Sequence, residues 1–251
     1  MVKIFFLLFF ISCANQPRLQ SPAQNFLTSE TQGKFLESQF SFSHLPGATV
    51  NIDIDEDSTQ EDLSVEEINN QFAALLQTGL FRNVDFFTRV QPYSPILLGL
   101  KMQIMGRPKL EAEYKGNSLS LFMGLGRMKY YDQSGSNLSQ STSGDYEFNR
   151  SHNIAEYGFV YGHRLYSDIL LYTRYTIVKQ SIIGDIKYPE NSSMDGERID
   201  IKGSHTHYTI GSMWYTKRLN IGLEVLFAQY DYEGETLNTP FFTLILGKDF
   251  N

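Results

Sequence analysis

Cysteine is almost missing from this chain: Cys13 is the single one in 251 residues. One thiol cannot form an intramolecular disulfide, so no disulfide framework holds the fold together. Tryptophan is also single, at Trp214. Positive charge is short. The net charge of -7 and pI near 5.3 argue against nucleic acid as a partner, because there is no basic surface to neutralise phosphates. No Walker loop, dinucleotide fingerprint or nucleophile elbow occurs. No cofactor and no enzymatic activity is therefore expected. The Ala and Lys that favour helices are sparse, whereas aromatic residues make up 14% and Gly, Ser, Thr and Asn are plentiful, a composition of strands and turns.

The N-terminus reads as an export signal. Lys3 precedes an apolar run, Ile4 to Ile11, of eight residues, a signal-peptide length and too short to cross a bilayer as a helix. The run ends in Ser12-Cys13. A small residue before a cysteine at this place resembles the lipobox of bacterial lipoproteins, with Phe10 where leucine is usual. The resemblance implies that Cys13 becomes the acylated N-terminus of the mature chain. Residues 1–12 are thus expected to be a signal peptide. Residues 13–45, rich in Gln, Ser, Asn and Thr with no sustained period, are expected to be a lipid-anchored polar tether.

From 46 to 251, period-two alternation dominates. Leu219, Ile221, Leu223, Val225 and Phe227 alternate with Asn220, Gly222, Glu224, Leu226 and Ala228. Ile96, Leu98, Leu100, Met102 and Ile104 do the same against Leu97, Gly99, Lys101, Gln103 and Met105. Similar runs fall at 48–54, 118–126, 155–162, 169–178 and 241–250. The apolar face carries no charge in mid-strand. The other face is mostly small and polar, with single charges of both signs: Asp85, Arg89, Lys101, Glu156, Arg174 and Glu224. A soluble sandwich would place many Lys and Glu on its wet face. Small residues with compensating charges suit the crowded lumen of a narrow barrel instead. Tyrosines near strand ends match interfacial girdles, and short connections on one rim alternate with long polar stretches on the other.

Two segments carry a family resemblance. Gly247-Lys248-Asp249-Phe250 is similar to the C-terminal signal by which the barrel-assembly machinery recognises its substrates. Gly79 to Phe87 looks like an inner-side hairpin of small bacterial outer-membrane barrels. The resemblance implies an all-β, closed, antiparallel up-and-down transmembrane barrel with outer-membrane lipid around it. Ten strands are expected, with eight as the alternative. Ser64-Val65-Glu66-Glu67 has the form of a helix capping box, and Ile68, Phe72, Leu75 and Leu76 share a helical face, so a small helical turn is expected in an N-terminal loop. An even strand count places both termini on one rim.

The six luminal charges are expected to plug the barrel by pairing, and the role to be structural or that of a narrow pore, without catalysis. His205 and His207, two apart on a strand, share one face at a common metal-ligand spacing with His152 at the same rim. Polar residues at a solvated mouth account for them equally, and no metal is assigned. Ten strands also invite comparison with the omptin proteases, whose acids and histidines work at one rim. Asp145, His152, His205 and Asp231 are the residues such a site would use, and this is the least favoured function. The competing class is a soluble, lipid-anchored, lipocalin-like binding barrel, whose apolar faces would have to point inward.

Overall fold

Alternating β-branched and aromatic residues build long strands here, and each strand finds its partner in the next one along the chain. The computed structural model describes residues 18–22, 27–53, 62–92, 94–134, 146–187, 198–216 and 219–250. Its strands are β1 (Arg18–Pro22), β2 (Ser38–Asp53), β3 (Asp62–Phe81), β4 (Val84–Val90), β5 (Leu97–Met105), β6 (Asn117–Ser134), β7 (Tyr146–Tyr166), β8 (Ile169–Lys187), β9 (Arg198–Tyr215), β10 (Asn220–Tyr232) and β11 (Glu235–Phe250). Neighbours from β2 to β11 pair antiparallel in chain order, and β11 returns to β2 through Phe250↔Ser38 to Ile245↔Ser43. The wall is a closed up-and-down barrel of ten strands. The short β1 lies outside that count, paired with β2 alone from Arg18↔Asn51 to Pro22↔Gly47.

Side chains obey the period of two. On β5, Ile96, Leu98, Leu100, Met102 and Ile104 face outward at about half exposure, while Leu97, Lys101 and Gln103 are buried. On β10, Leu219, Leu223 and Phe227 face outward and Asn220, Glu224, Leu226 and Ala228 face the lumen. A lipocalin-like calyx would need the reverse. The nine positions from Leu219 to Phe227 match the ~9–11 residues with which a tilted strand crosses a bilayer.

One rim carries tight connections, at Arg82-Asn83 and at Ser167-Asp168. At the other rim, three hairpins run far beyond the apolar belt. Strand pairing continues into the stretches expected as long loops: β6 and β7 stay paired to Ser134↔Tyr146 and β8 and β9 to Asp185↔Arg198. Only β10 and β11 turn back at once there, through Glu233 at φ 50 and Gly234 at φ 100, the two positive angles that a type I′ hairpin requires.

Three expectations are corrected. The capping box at Ser64 to Glu67 lies in β3, paired with Asn51 to Ala48 of β2. Cross-strand partners override the local helical pattern, and Leu75 and Leu76 point to opposite faces. The only helical turn among the described residues is a 3-10 turn at Lys109–Glu111. Second, the tether does not extend to residue 45: β2 begins at Ser38, and Leu27, Thr28, Ser29, Glu30, Thr31 and Gln32 are buried inside the barrel. Third, the described N-terminal residues do not share a rim with the C-terminal strand end. Arg18 pairs near the far end of β2, whereas Phe250 pairs with Ser38 at its start. Between those two ends of β2, the described segment Leu27 to Gln32 lies inside the lumen. Cys13 and the signal peptide expected at residues 1–12 lie outside the described residues.

Candidate functional site

The lumen is where the chemistry collects. All six charges read from the alternation are buried there, and they meet in three pairs. Arg89 Nη2 lies 2.7 Å from Glu156 Oε2, Lys101 Nζ 3.5 Å from Asp85 Oδ2, and Arg174 grips Glu224 through two bonds of 3.1 Å each. The hydroxyl of Tyr172 also donates to Glu224. Each pair is at most 3% exposed. In that setting, charges are tolerated only when they are both paired and hydrogen-bonded.

Between the pairs runs the segment Leu27 to Gln32. Every one of its residues gives or takes a main-chain bond. Arg174 donates to the Leu27 carbonyl at 3.1 Å. Lys101 Nζ donates to the Thr28 carbonyl at 3.3 Å and the Glu30 carbonyl at 2.5 Å. Ser120 donates to the Ser29 carbonyl at 2.5 Å. The Thr31 N–H donates to Gln103 at 2.8 Å, and the Lys109 N–H to the Thr31 carbonyl at 2.9 Å. The Gln32 N–H donates to the Asp85 carboxylate at 3.1 Å. The Glu30 side chain takes two bonds from Arg164, at 2.8 and 2.6 Å, in a fork that matches guanidinium to carboxylate.

Space for this segment is made by glycines. A Cβ on Gly162 would stand 2.0 Å from Ser29 Oγ, and one on Gly79 would stand 2.1 Å from the Lys34 carbonyl oxygen. Where the segment leaves the lumen, Gly33 takes φ +92 against Pro108. The long connection after β5 now has a reason. It folds across this exit, with Lys109 Nζ 2.5 Å from Asp249 and 4.4 Å from the ring centroid of Tyr215. Arg164 covers that ring as well, at 4.7 Å. Burial holds the Lys109 ammonium below its usual pKa, while Asp249 opposes that effect.

The rest of the lumen is packed apolar matter: Leu75, Phe87, Leu97, Phe122, Ile154, Val160, Leu170 and Met213 form one cluster with Leu27. Toward the opposite rim, His205 and His207 are buried, not solvated, with ring centroids 4.6 Å apart and Tyr230 at 5.1 Å from His205. His152 bonds Gln180 at 2.9 Å. Among the described residues no group of three or more His, Cys, Asp or Glu forms a metal site. The omptin-like set is not assembled: His152 and His205 face the lumen, Asp231 is exposed on the opposite face of β10, and Asp145 lies outside the described residues.

Glu30, Arg164, Thr31, Gln103 and Gly162 were not singled out from sequence. One signal was available for Arg164. It shares the parity of Glu156, Val160 and Gly162, which marks it as an inward-facing cation, and Glu30 is the acid that meets it there.

Wall and filling together define a closed ten-stranded antiparallel barrel stoppered by its own N-terminal segment. No protein-family model matches the sequence, and no curated protein matches it. Among solved structures the chain is similar to the attachment invasion locus protein Ail of Yersinia pestis in complex with the heparin analogue sucrose octasulfate. That likeness has 10% identity over 86% of this chain and 100% of Ail, with a TM-score of 0.36. A second structure of Ail gives 12% identity at the same coverages, with a TM-score of 0.32. The outer membrane channel DcaP of Acinetobacter baumannii gives 7% identity over 89% of this chain and 100% of that one, with a TM-score of 0.20. Likeness at this level says nothing about what the barrel binds.

Proposed function

We propose that the chain is an integral outer-membrane β-barrel with a stoppered lumen and a structural, non-catalytic role. The observation that carries this reading is the direction of the two faces. A continuous ring of outward Leu, Ile, Met and Phe surrounds a lumen filled by ion pairs and a buried peptide segment. An exposed apolar band of that extent has no place in water, and the wall closes on itself, each strand pairing with both neighbours over at least part of its length, as membrane barrels do. Each wall carboxylate of the six-charge set already faces a cation, and Glu30 faces Arg164, which supports a holding role over acid–base work. Export and an acylated Cys13 belong to the same proposal and rest on the Ser12-Cys13 junction.

The test is fractionation and electrophoresis of the full chain. The protein should sediment with outer membranes, resist extraction by alkaline carbonate, and migrate differently on gels before and after boiling. Recovery in the soluble periplasmic fraction would defeat the assignment. In planar bilayers the wild type should carry little or no current. A steady, ion-selective conductance would make it a pore.

A further inference from the structure

The segment 27–32 is held as a ligand is held. Its six residues meet the wall through seven main-chain hydrogen bonds, from Arg174, Lys101, Ser120, Gln103, Lys109 and Asp85. Bonds to a main chain can be made to a peptide of almost any sequence, and here they hold a segment that bends at Ser29 and Glu30. Selectivity comes from two side chains. Glu30 enters the Arg164 fork, and Ser29, 2.6 Å from Ser118 Oγ, rests against Gly162, where no larger wall residue fits. The segment is tied to β2 by Gly33 to Glu37, of which Lys34, Phe35 and Leu36 are exposed on the rim. Nothing covalent holds it within the lumen itself.

We propose that the lumen is a peptide-binding channel, occupied in this structure by the chain's own residues, which takes a segment that bends at a hydroxyl residue directly followed by an acidic one. The occupant can then be exchanged once its tie to β2 is cut. The inference goes beyond the membrane reading and does not depend on it.

A specific protease site inserted between Lys34 and Phe35 allows the folded full-length protein, in detergent, to be cut at the rim. Release of the N-terminal fragment is then followed by gel filtration. The fragment should stay with the barrel and leave slowly, and the Glu30→Gln variant should lose it at least tenfold faster. A fluorescent peptide of residues 18–34 should occupy the emptied barrel at one per chain. Immediate loss of the wild-type fragment, equal rates for the two chains, no release from either, or an emptied barrel that takes up no peptide would each overturn the proposal. Should Glu30→Gln fail to fold, the fluorescent peptide carrying that change is offered to the cut wild-type barrel, and equal uptake of the two peptides overturns it. The measurement reads fragment exchange alone, so its failure leaves the membrane assignment standing.

Discussion

At the scale of single residues, the lumen is a set of charges that cannot be removed one at a time. Arg174 holds Glu224 with two bonds and the Leu27 carbonyl with a third. Arg174→Met leaves Glu224 buried with only the Tyr172 hydroxyl, and breaking such a pair costs about 3–5 kcal/mol. The melting point, read from heat-modifiable gel migration, should fall sharply. Adding Glu224→Gln should recover part of the loss, whereas Glu156→Gln should deepen it, because Glu156 belongs to Arg89. Thr243 gives the opposite case. Its hydroxyl is buried with no hydrogen-bond partner among the described residues, so Thr243→Val should leave stability unchanged or raise it by up to roughly 1 kcal/mol. A lowered melting point would show that the hydroxyl has a partner. The alternation revealed which charges face inward, since parity needs nothing beyond the local chain. Which acid meets which base depends on strand register, and register is a property of two strands that neither contains alone.

Among the elements, the closing seam stands apart. β10 and β11 pair over thirteen positions, β11 and β2 over six. Beyond Ser43, β2 bulges between Leu45 and Gly47 and then takes β1 as its neighbour. Among the described residues, Glu235 to Leu244 of β11 is therefore paired on one edge only. Its register with Val225 and Phe227 sets Pro240 to Leu244 level with the apolar belt, where an unmet backbone group is costly. Pro240 removes one donor from that edge, and Phe242 is 76% exposed. In hydrogen-exchange measurements, β11 amides pointing away from β10 between Thr236 and Thr243 should exchange much faster than those pointing toward it. Uniform protection would mean that the seam is closed. The outward face makes a second prediction at this scale. Leu223→Arg places a charge in mid-belt at a cost of roughly 2–4 kcal/mol and should block membrane assembly, whereas Gln229→Arg, beyond the belt on the same face of β10, should be tolerated. Equal effects would remove the belt. Period two made this face legible along most of the wall. It failed at Ser64 to Glu67, where a capping pattern competed with strand partners at Asn51 to Ala48, thirteen to nineteen residues away in sequence.

For the whole molecule, the number of crossings decides where the ends lie. Ten wall strands alone would return the chain to the rim from which it started, and sequence reading stops there because a luminal segment has no periodicity of its own. Leu27 to Gln32 looks like any polar linker until the wall that surrounds it is known. With that pass included, Arg18 sits at the rim of the long hairpins and Phe250 at the rim of the tight turns. In outer-membrane barrels long loops face outward and short turns face the periplasm, so on the membrane reading proposed above Arg18 is expected at the rim that faces the cell exterior. An epitope inserted directly before Arg18 should bind antibody on intact cells, as should one in the Glu233-Gly234 turn. An epitope between Lys34 and Phe35 should bind only after the outer membrane is permeabilised. If the epitope before Arg18 is silent on intact cells while the one at Glu233-Gly234 is reached, the chain does not pass through its own barrel, and the luminal bonds of Glu30 and Thr31 must be formed in some other way.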